Sequence, residues 1–447
     1  MSAGTAPYFL FIAAVFFVYW AAPPARVVRL AIILAANYFF CARYGLFYVA
    51  LLPACSTLDF LIGRALHTSS NRAARRLLIA LSVAANLTLL IVSRHAGFIW
   101  TLGLSFYTLQ ALTHTLDIYR RDAEPASSLL AYLSAVTFFP TLQAGPITRV
   151  SELLKQFDKR IPLTRIEGGR ALFLIGLGLV KKFVIADFLA DNLVNRVFDT
   201  PNLYSGAEAL LAVYAYSLQL YYDFSGYTDI ARGAAQLLGI RLPVNFDRPY
   251  TSTNLTEFWR RWHISFSNWL RDYLYFALPG GRTRVMPYLN LVITMLLGGL
   301  WHGATWTFAI WGFLHGAALA ATRLWWAWRG KPKQITRLGR PVAVLGTYHF
   351  VCFTWIFFRA GSVATAMELL SRIASLSVSF ENVTALFAAV TLVALAALFT
   401  RKQWYHAAMD RFAATPFYVH ATALVLIAMA MQRWGAAGNA PFVYSRF

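Results

Sequence analysis

The chain has 447 residues, of which 58% are hydrophobic and only 13% charged, and its mean hydropathy is +0.53. Soluble domains carry about 25% charged residues, so this chain has too little polar surface to coat a water-soluble particle, and two or three soluble domains are excluded. Its formal charge of +21 sits in short loops between apolar runs. That distribution excludes a nucleic-acid groove and is the positive-inside bias of a membrane protein.

Taken in chain order, apolar runs near the ~20 residues that cross a bilayer core fall at 7–22, 27–42, 45–63, 77–93, 97–117, 169–190, 206–223, 284–301, 305–328, 341–358, 383–400 and 417–434. The expected fold is an all-α integral membrane protein of about 11–13 membrane helices. The first run, Pro7 to Trp20, lacks a basic leader and a small-residue cleavage site, so it is read as a retained helix. No internal repeat or soluble domain interrupts the pattern. One polytopic membrane domain over 1–447 is expected, with N-terminal helices at 1–120, a core at 121–360, and C-terminal helices and a tail at 361–447.

Loop charges orient the chain. Arg64–Arg76 holds Arg64, Arg72, Arg75 and Arg76 with no acid, which places it in the cytoplasm and the N-terminus outside. The stretch 128–147 conflicts with a simple crossing, because crossing would put the six Lys/Arg of Arg149–Arg170 outside. It also holds Phe138-Phe139-Pro140 and Gly145-Pro146, and proline breaks a membrane helix. It is therefore read as re-entrant, a geometry that requires cover from protein or a water-filled cavity. Arg329–Arg340, with five Lys/Arg and no acid, is again cytoplasmic, and the last span leaves the C-terminus outside.

The most unusual segment is 245–281. Asn254 followed by Glu257 forms a helix-start signature, and Phe258, Trp262, Phe266, Trp269 and Tyr273 recur at helical spacing. One amphipathic helix with one aromatic face is expected. It would lie at the headgroup level or line a polar entry. Beyond it, His302 stands in Gly298-Gly299-Leu300-Trp301-His302-Gly303. An intramembrane histidine is a functional candidate by default, and its ordinary pKa suits proton abstraction. The flanking glycines admit close approach of a backbone or a substrate. On one helix His315 would lie about 220° round from His302, so it is read as structural. His349, in the middle of its span and expected to be buried, is the second candidate, while His263 caps or pairs. Three cysteines without CxxC spacing and the lack of an HExxH pattern give no disulfide framework and no metal site.

These residues resemble a known family. Phe246–Tyr275 followed by Gly298–Gly316 is similar to the membrane-bound O-acyltransferases, in the branch of alginate O-acetylation and teichoic-acid D-alanylation proteins. Leu104–Gln110, Phe138–Pro140 with Ala144–Pro146, and Tyr222–Asp229 add to the match. The resemblance implies a helical bundle around a central tunnel, in the bacterial cytoplasmic (inner) membrane. It carries the invariant histidine onto His302 and the second histidine onto His349. The last residues, with Phe442, Tyr444 and Phe447, look like a tail motif whose tyrosine carries the acyl group. Gln110, Tyr222, Asp223, Trp301 and Trp306 are the expected tunnel or substrate lining.

The implied activity is transfer of an acyl group, acetyl in the simplest case, from a cytoplasmic thioester across the membrane for O-acylation of an extracellular or cell-envelope polysaccharide. The donor is acetyl-CoA or an acyl carrier protein thioester, and no bound cofactor is expected. The partners are membrane lipid, the polysaccharide acceptor and an extracytoplasmic acyltransferase. Two alternatives stand beside it: D-alanyl transfer from a carrier protein, and a transporter or channel without acyl chemistry. Secondary transporters show paired halves with matching broken helices, whereas here one re-entrant stretch has no counterpart.

Overall fold

The computed structural model describes residues 5–95, 103–280, 285–330 and 336–434, and its regular structure is helical, with no strand among the described residues. Each apolar run identified above overlaps a helix, with 97–102 and 284 lying outside the described residues. By length and composition alone, Leu46–Thr68, Arg72–Val92 and Gly339–Arg359 can each cross a bilayer. Ala385–Ala397 with Lys402–Ala414 would make a fourth span if counted together, although the two are bent by 99°.

The chain divides into two compact units. The first comprises 1–178, 227–243 and 409–421, and the second 179–226, 244–408 and 422–447. In the first unit, Leu46–Thr68 and Arg72–His95 turn Leu46, Leu61, Leu77, Leu81 and Leu87 outward and bury Ser56, Asp59, Ser82 and Asn86. That is the reverse of a water-soluble helix and matches lipid as the outer solvent. Leu104–Arg120 is buried along almost its whole length.

The stretch 128–147 forms two short helices, Leu129–Val136 and Phe139–Leu142, with Pro140 in the first turn of the second. The backbone freed at the break finds side-chain partners. Asn37 Nδ2 donates to Ser134 O at 3.0 Å and to Thr137 Oγ1 at 3.2 Å, and its Oδ1 accepts from Phe139 N at 2.9 Å. Gln110 Nε2 donates to Ala135 O at 3.0 Å and Val136 O at 3.3 Å. Protein cover is what non-helical backbone at membrane depth requires.

The helix that begins at Arg165 continues past residue 178, in the second unit, as π-helical turns, Val180–Ala186 and Ala190–Val194. Met286–His302 and Trp306–Arg329 form an antiparallel pair with close backbone approach. A Cβ on Gly299 would lie 2.4 Å from Phe308 O, and one on Gly312 would lie 2.4 Å from Met295 O. Small residues permit this packing in membranes, so what the glycine before His302 admits here is a neighbouring backbone.

The expected single helix across 254–275 is corrected. Leu255–Trp259 ends, the chain turns through His263 at φ 41°, and Ile264–Trp269 restarts before a π-helical turn, Leu270–Tyr275. Residue 245 decides the break. Asn245 Oδ1 accepts from Ser265 N at 3.0 Å and Ser265 Oγ at 2.9 Å, and Asn245 O accepts from Ile264 N at 2.9 Å. An irregular segment thus competes for groups that a continuous helix would have used. The start signature is present: Asn254 Oδ1 accepts from Glu257 N at 2.9 Å, and Glu257 reaches back to Thr253 N at 2.8 Å.

Candidate active site

His302 closes the Met286–His302 helix, and Gly303 follows in extended conformation. The ring is 3% exposed and lies within an aromatic wall. Its centroid is 5.1 Å from Phe358, 5.4 Å from Trp311, 5.6 Å from Phe266 and 6.1 Å from Phe308. Trp301 stacks on Phe266 at 4.6 Å and lies 4.8 Å from the His302 ring. Such a wall excludes water and strengthens any polar interaction inside it.

His263 joins this site, which spacing alone did not show. Its ring packs on Phe224 at 4.6 Å and at 5.0 Å on Phe266, the same ring that faces His302 at 5.6 Å. Because Asn245 Oδ1 is only an acceptor, the 3.2 Å contact places the proton on His263 Nδ1. The positive φ of His263 is a non-glycine outlier, of the kind that clusters at functional sites.

A separation of about 220° between His302 and His315 would hold only on one continuous helix. They stand on two antiparallel helices, and both rings touch Trp311, at 5.4 and 5.1 Å. His315 is fully buried; its Nδ1 accepts from Trp259 Nε1 at 3.3 Å and its Nε2 meets Thr354 Oγ1 at 2.9 Å. Both ring nitrogens are thus engaged within the protein. Trp311 Nε1 is different: it is buried and makes no hydrogen bond among the described residues.

His349 is not buried as expected. It lies on an exposed face of Gly339–Arg359, with Nδ1 against Leu345 O at 2.7 Å. Phe358, which touches His302, is nine residues further on, about 14 Å of helix rise. The face, not the position along the span, decides burial, and the apolar run could not show the face. Trp306 is likewise corrected as a lining residue, since it is 79% exposed at the start of its helix. Phe442, Tyr444 and Phe447 lie outside the described residues.

Tyr222 OH donates to Ala394 O at 2.6 Å. Asp223 belongs to a buried charge cluster: Lys182 Nζ lies 2.5 Å from Asp223 Oδ1 and 2.8 Å from Asp187 Oδ1, with all three side chains below 8% exposure. Lys182 and Asp187 went unnoticed in the sequence, although two opposite charges inside an apolar run are a legible signal. Among the described residues no three His, Cys, Asp or Glu side chains come together as metal ligands.

The all-helical fold, the histidine sealed in an aromatic wall and the motifs around it converge with the comparisons. The family model described as MBOAT, membrane-bound O-acyltransferase family, matches residues 119–361. The chain belongs to this family and is an O-acyltransferase. It is 37% identical over 374 residues to a probable alginate O-acetylase, AlgI, of Azotobacter vinelandii, covering 77% of this chain and 72% of the relative. It is 34% identical over 387 residues to a peptidoglycan O-acetyltransferase of Helicobacter pylori, covering 76% and 73%. A teichoic acid D-alanyltransferase of Bacillus subtilis is 30% identical over 275 residues, 58% of this chain and 68% of the relative.

Proposed function

We propose that the protein transfers an acetyl group from a cytoplasmic thioester, acetyl-CoA, to a hydroxyl group on the far side of the membrane, for O-acetylation of a cell-envelope polysaccharide. The carrying observation is His302, held in a water-excluding aromatic wall in a chain whose relatives by name acetylate alginate and peptidoglycan. The D-alanyl relative matches less of the chain, which favours acetyl over D-alanyl.

In the mechanism we infer, the His302 imidazole takes the proton of the attacking hydroxyl. The oxygen adds to the thioester carbonyl, and Trp311 Nε1–H donates to the oxygen that becomes negative. The C–S bond then breaks and the imidazolium returns the proton to the departing sulfur. The attacking hydroxyl is the phenol of Tyr444, or the acceptor itself. In the first version, acyl-Tyr444 hands its group to an extracytoplasmic acyltransferase, which esterifies the polysaccharide. The chain would lie in the bacterial cytoplasmic membrane with both termini outside. In that orientation His349 stands on the cytoplasmic side of Phe358 along its helix, and we assign it to reception of the donor, separate from the proton transfer at His302.

The test is mass spectrometry of the C-terminal peptide, with thiol release followed in parallel, after incubating detergent-purified protein with acetyl-CoA. An acetyl group on Tyr444 that is lost in His302→Ala supports the relay. In Tyr444→Phe, continued transfer leaves His302 acting on the acceptor. His349→Ala is expected to raise KM for the thioester more than it lowers kcat. Unchanged transfer in His302→Ala would overturn the assignment.

A further inference from the structure

The helices Leu46–Thr68 and Arg72–His95 hold a carboxylate between them. Asp59 lies about 20 Å along its helix from Leu46 and about 14 Å from Thr68, at hydrocarbon depth for a spanning helix. It is 1% exposed. Its hydrogen-bond partners are neutral: Ser82 Oγ donates to Oδ1 at 2.7 Å, and Asn86 Nδ2 donates to Oδ2 at 2.8 Å.

The titratable groups within electrostatic reach are Cys55 on its own helix, Tyr107 on Leu104–Arg120 and Tyr132 on Leu129–Val136, all uncharged near neutrality. Among the described side chains, the basic ones of the two helices face elsewhere. Arg64 lies over the Phe60 ring, Arg75 donates to the carbonyls of Leu66, Ile118 and Tyr119, and His67 pairs with Glu124. Arg72 and Arg76 are exposed. Among the described residues, then, Asp59 has no cation. A bare carboxylate at this depth is costly, and such groups in membranes mark ion or proton sites.

The surroundings suit a proton. Ser82 Oγ lies 2.9 Å from Thr115 Oγ1, where either hydroxyl can donate, and Thr115 Oγ1 lies 3.5 Å from Leu112 O. With Asp59 ionised, Thr115 donates to Ser82 and Ser82 to Asp59. With Asp59 protonated every bond reverses: the carboxyl donates to Ser82, Ser82 to Thr115, and Thr115 to the Leu112 carbonyl. No hydroxyl loses its acceptor in either state. Independently, Asn86 Oδ1 is buried and accepts no hydrogen bond. It belongs to the amide already on Oδ2, and turning that amide over presents an acceptor to a protonated Oδ2.

We propose that Asp59 is a reversible proton-binding site inside the membrane: a proton on Oδ1 reverses the hydrogen bonds of Ser82 and Thr115 while Asn86 stays on Oδ2, and a proton on Oδ2 is met instead by the turned amide of Asn86. Its use, though not its chemistry, rests on acyl transfer between the two membrane faces. When a hydroxyl on one face takes the acyl group from a thioester on the other, the C–S bond breaks and a C–O bond forms. The hydroxyl proton ends on the sulfur at the opposite face, so one proton crosses per turnover.

The test uses full-length purified protein and an apolar carbodiimide, which modifies protonated carboxyl groups in membranes. Modification is read by mass spectrometry, together with infrared difference spectra between acid and alkaline pH. We expect Asp59 to be labelled less as pH rises, at a level unaffected by sodium at constant pH. We also expect a carboxylic-acid band present in the wild type and absent in Asp59→Asn. Labelling without pH dependence, or no acid band at any pH, would overturn the proposal, and suppression by sodium would assign the site to a metal cation instead. If Asp59→Asn fails to fold, labelling of the wild type and of Ser82→Ala decides: removing the Ser82 hydroxyl should move the midpoint, and an unmoved midpoint counts against the chain. His302→Ala should leave the labelling unchanged, which separates this result from that of the acyl-transfer mechanism.

Discussion

At the scale of residues, the proposed transfer depends on a donor without an acceptor. Trp311 is packed against His302 and His315, and its Nε1 is buried without a hydrogen bond among the described residues. A buried, unsatisfied N–H is costly in a resting protein and useful where negative charge develops. Trp311→Phe keeps an aromatic ring and removes the donor. It should lower kcat about 100-fold, the size seen for loss of one oxyanion donor, with KM changed far less. Equal loss of kcat in Trp311→Phe and in a variant of a packing aromatic such as Phe308→Leu would show that packing, not the N–H, is responsible. Tryptophan in this motif was legible as a type; its missing acceptor was not, because an acceptor is supplied or withheld by other helices.

At the scale of elements, the pair Met286–His302 and Trp306–Arg329 places His302 through backbone contact. Gly312→Leu would drive a side chain into the Met295 carbonyl, where even a Cβ sits at 2.4 Å. Overpacking of this kind costs about 1–3 kcal/mol or more, so a lower thermal midpoint in detergent and a loss of activity are expected. Gly346→Ala, on a helix where an added Cβ meets nothing within 4 Å, should be neutral or slightly stabilising by helix propensity. Equal midpoints for the two variants would refute the close-approach argument. The broken stretch at 128–147 shows the same logic from the other side. Pro140 and the loop charges announced a break, while Asn37 and Gln110, which satisfy it, come from distant helices.

At the scale of the whole molecule, charge buried in helices ties distant parts of the chain together. Lys182, on a π-helical turn, faces Asp187 and Asp223, so one cation answers two carboxylates. Lys182→Met would leave both carboxylates without it, and breaking a buried pair costs roughly 3–5 kcal/mol. We expect little folded protein from that variant and partial recovery in Lys182→Met with Asp223→Asn. Chemical denaturation of the purified variants measures both, and a double variant no more stable than the single one would place the cluster's value elsewhere than in charge balance.

Composition, hydropathy and the placing of prolines and loop charges determined the membrane class, the helical segments and the broken stretch at 128–147, because a bilayer constrains length and polarity one segment at a time. The motif around His302 marked the family and the histidine for the same local reason. Tertiary structure alone decided the rest. It broke the helix at 254–275, since Asn245 competes for the backbone at His263–Ser265. It brought His263 beside His302 through Phe266, and it left His349 and Trp306 exposed. Burial and partnership are properties of faces in contact, and a periodic apolar run records that a helix is buried in something without recording which face meets protein and which meets lipid.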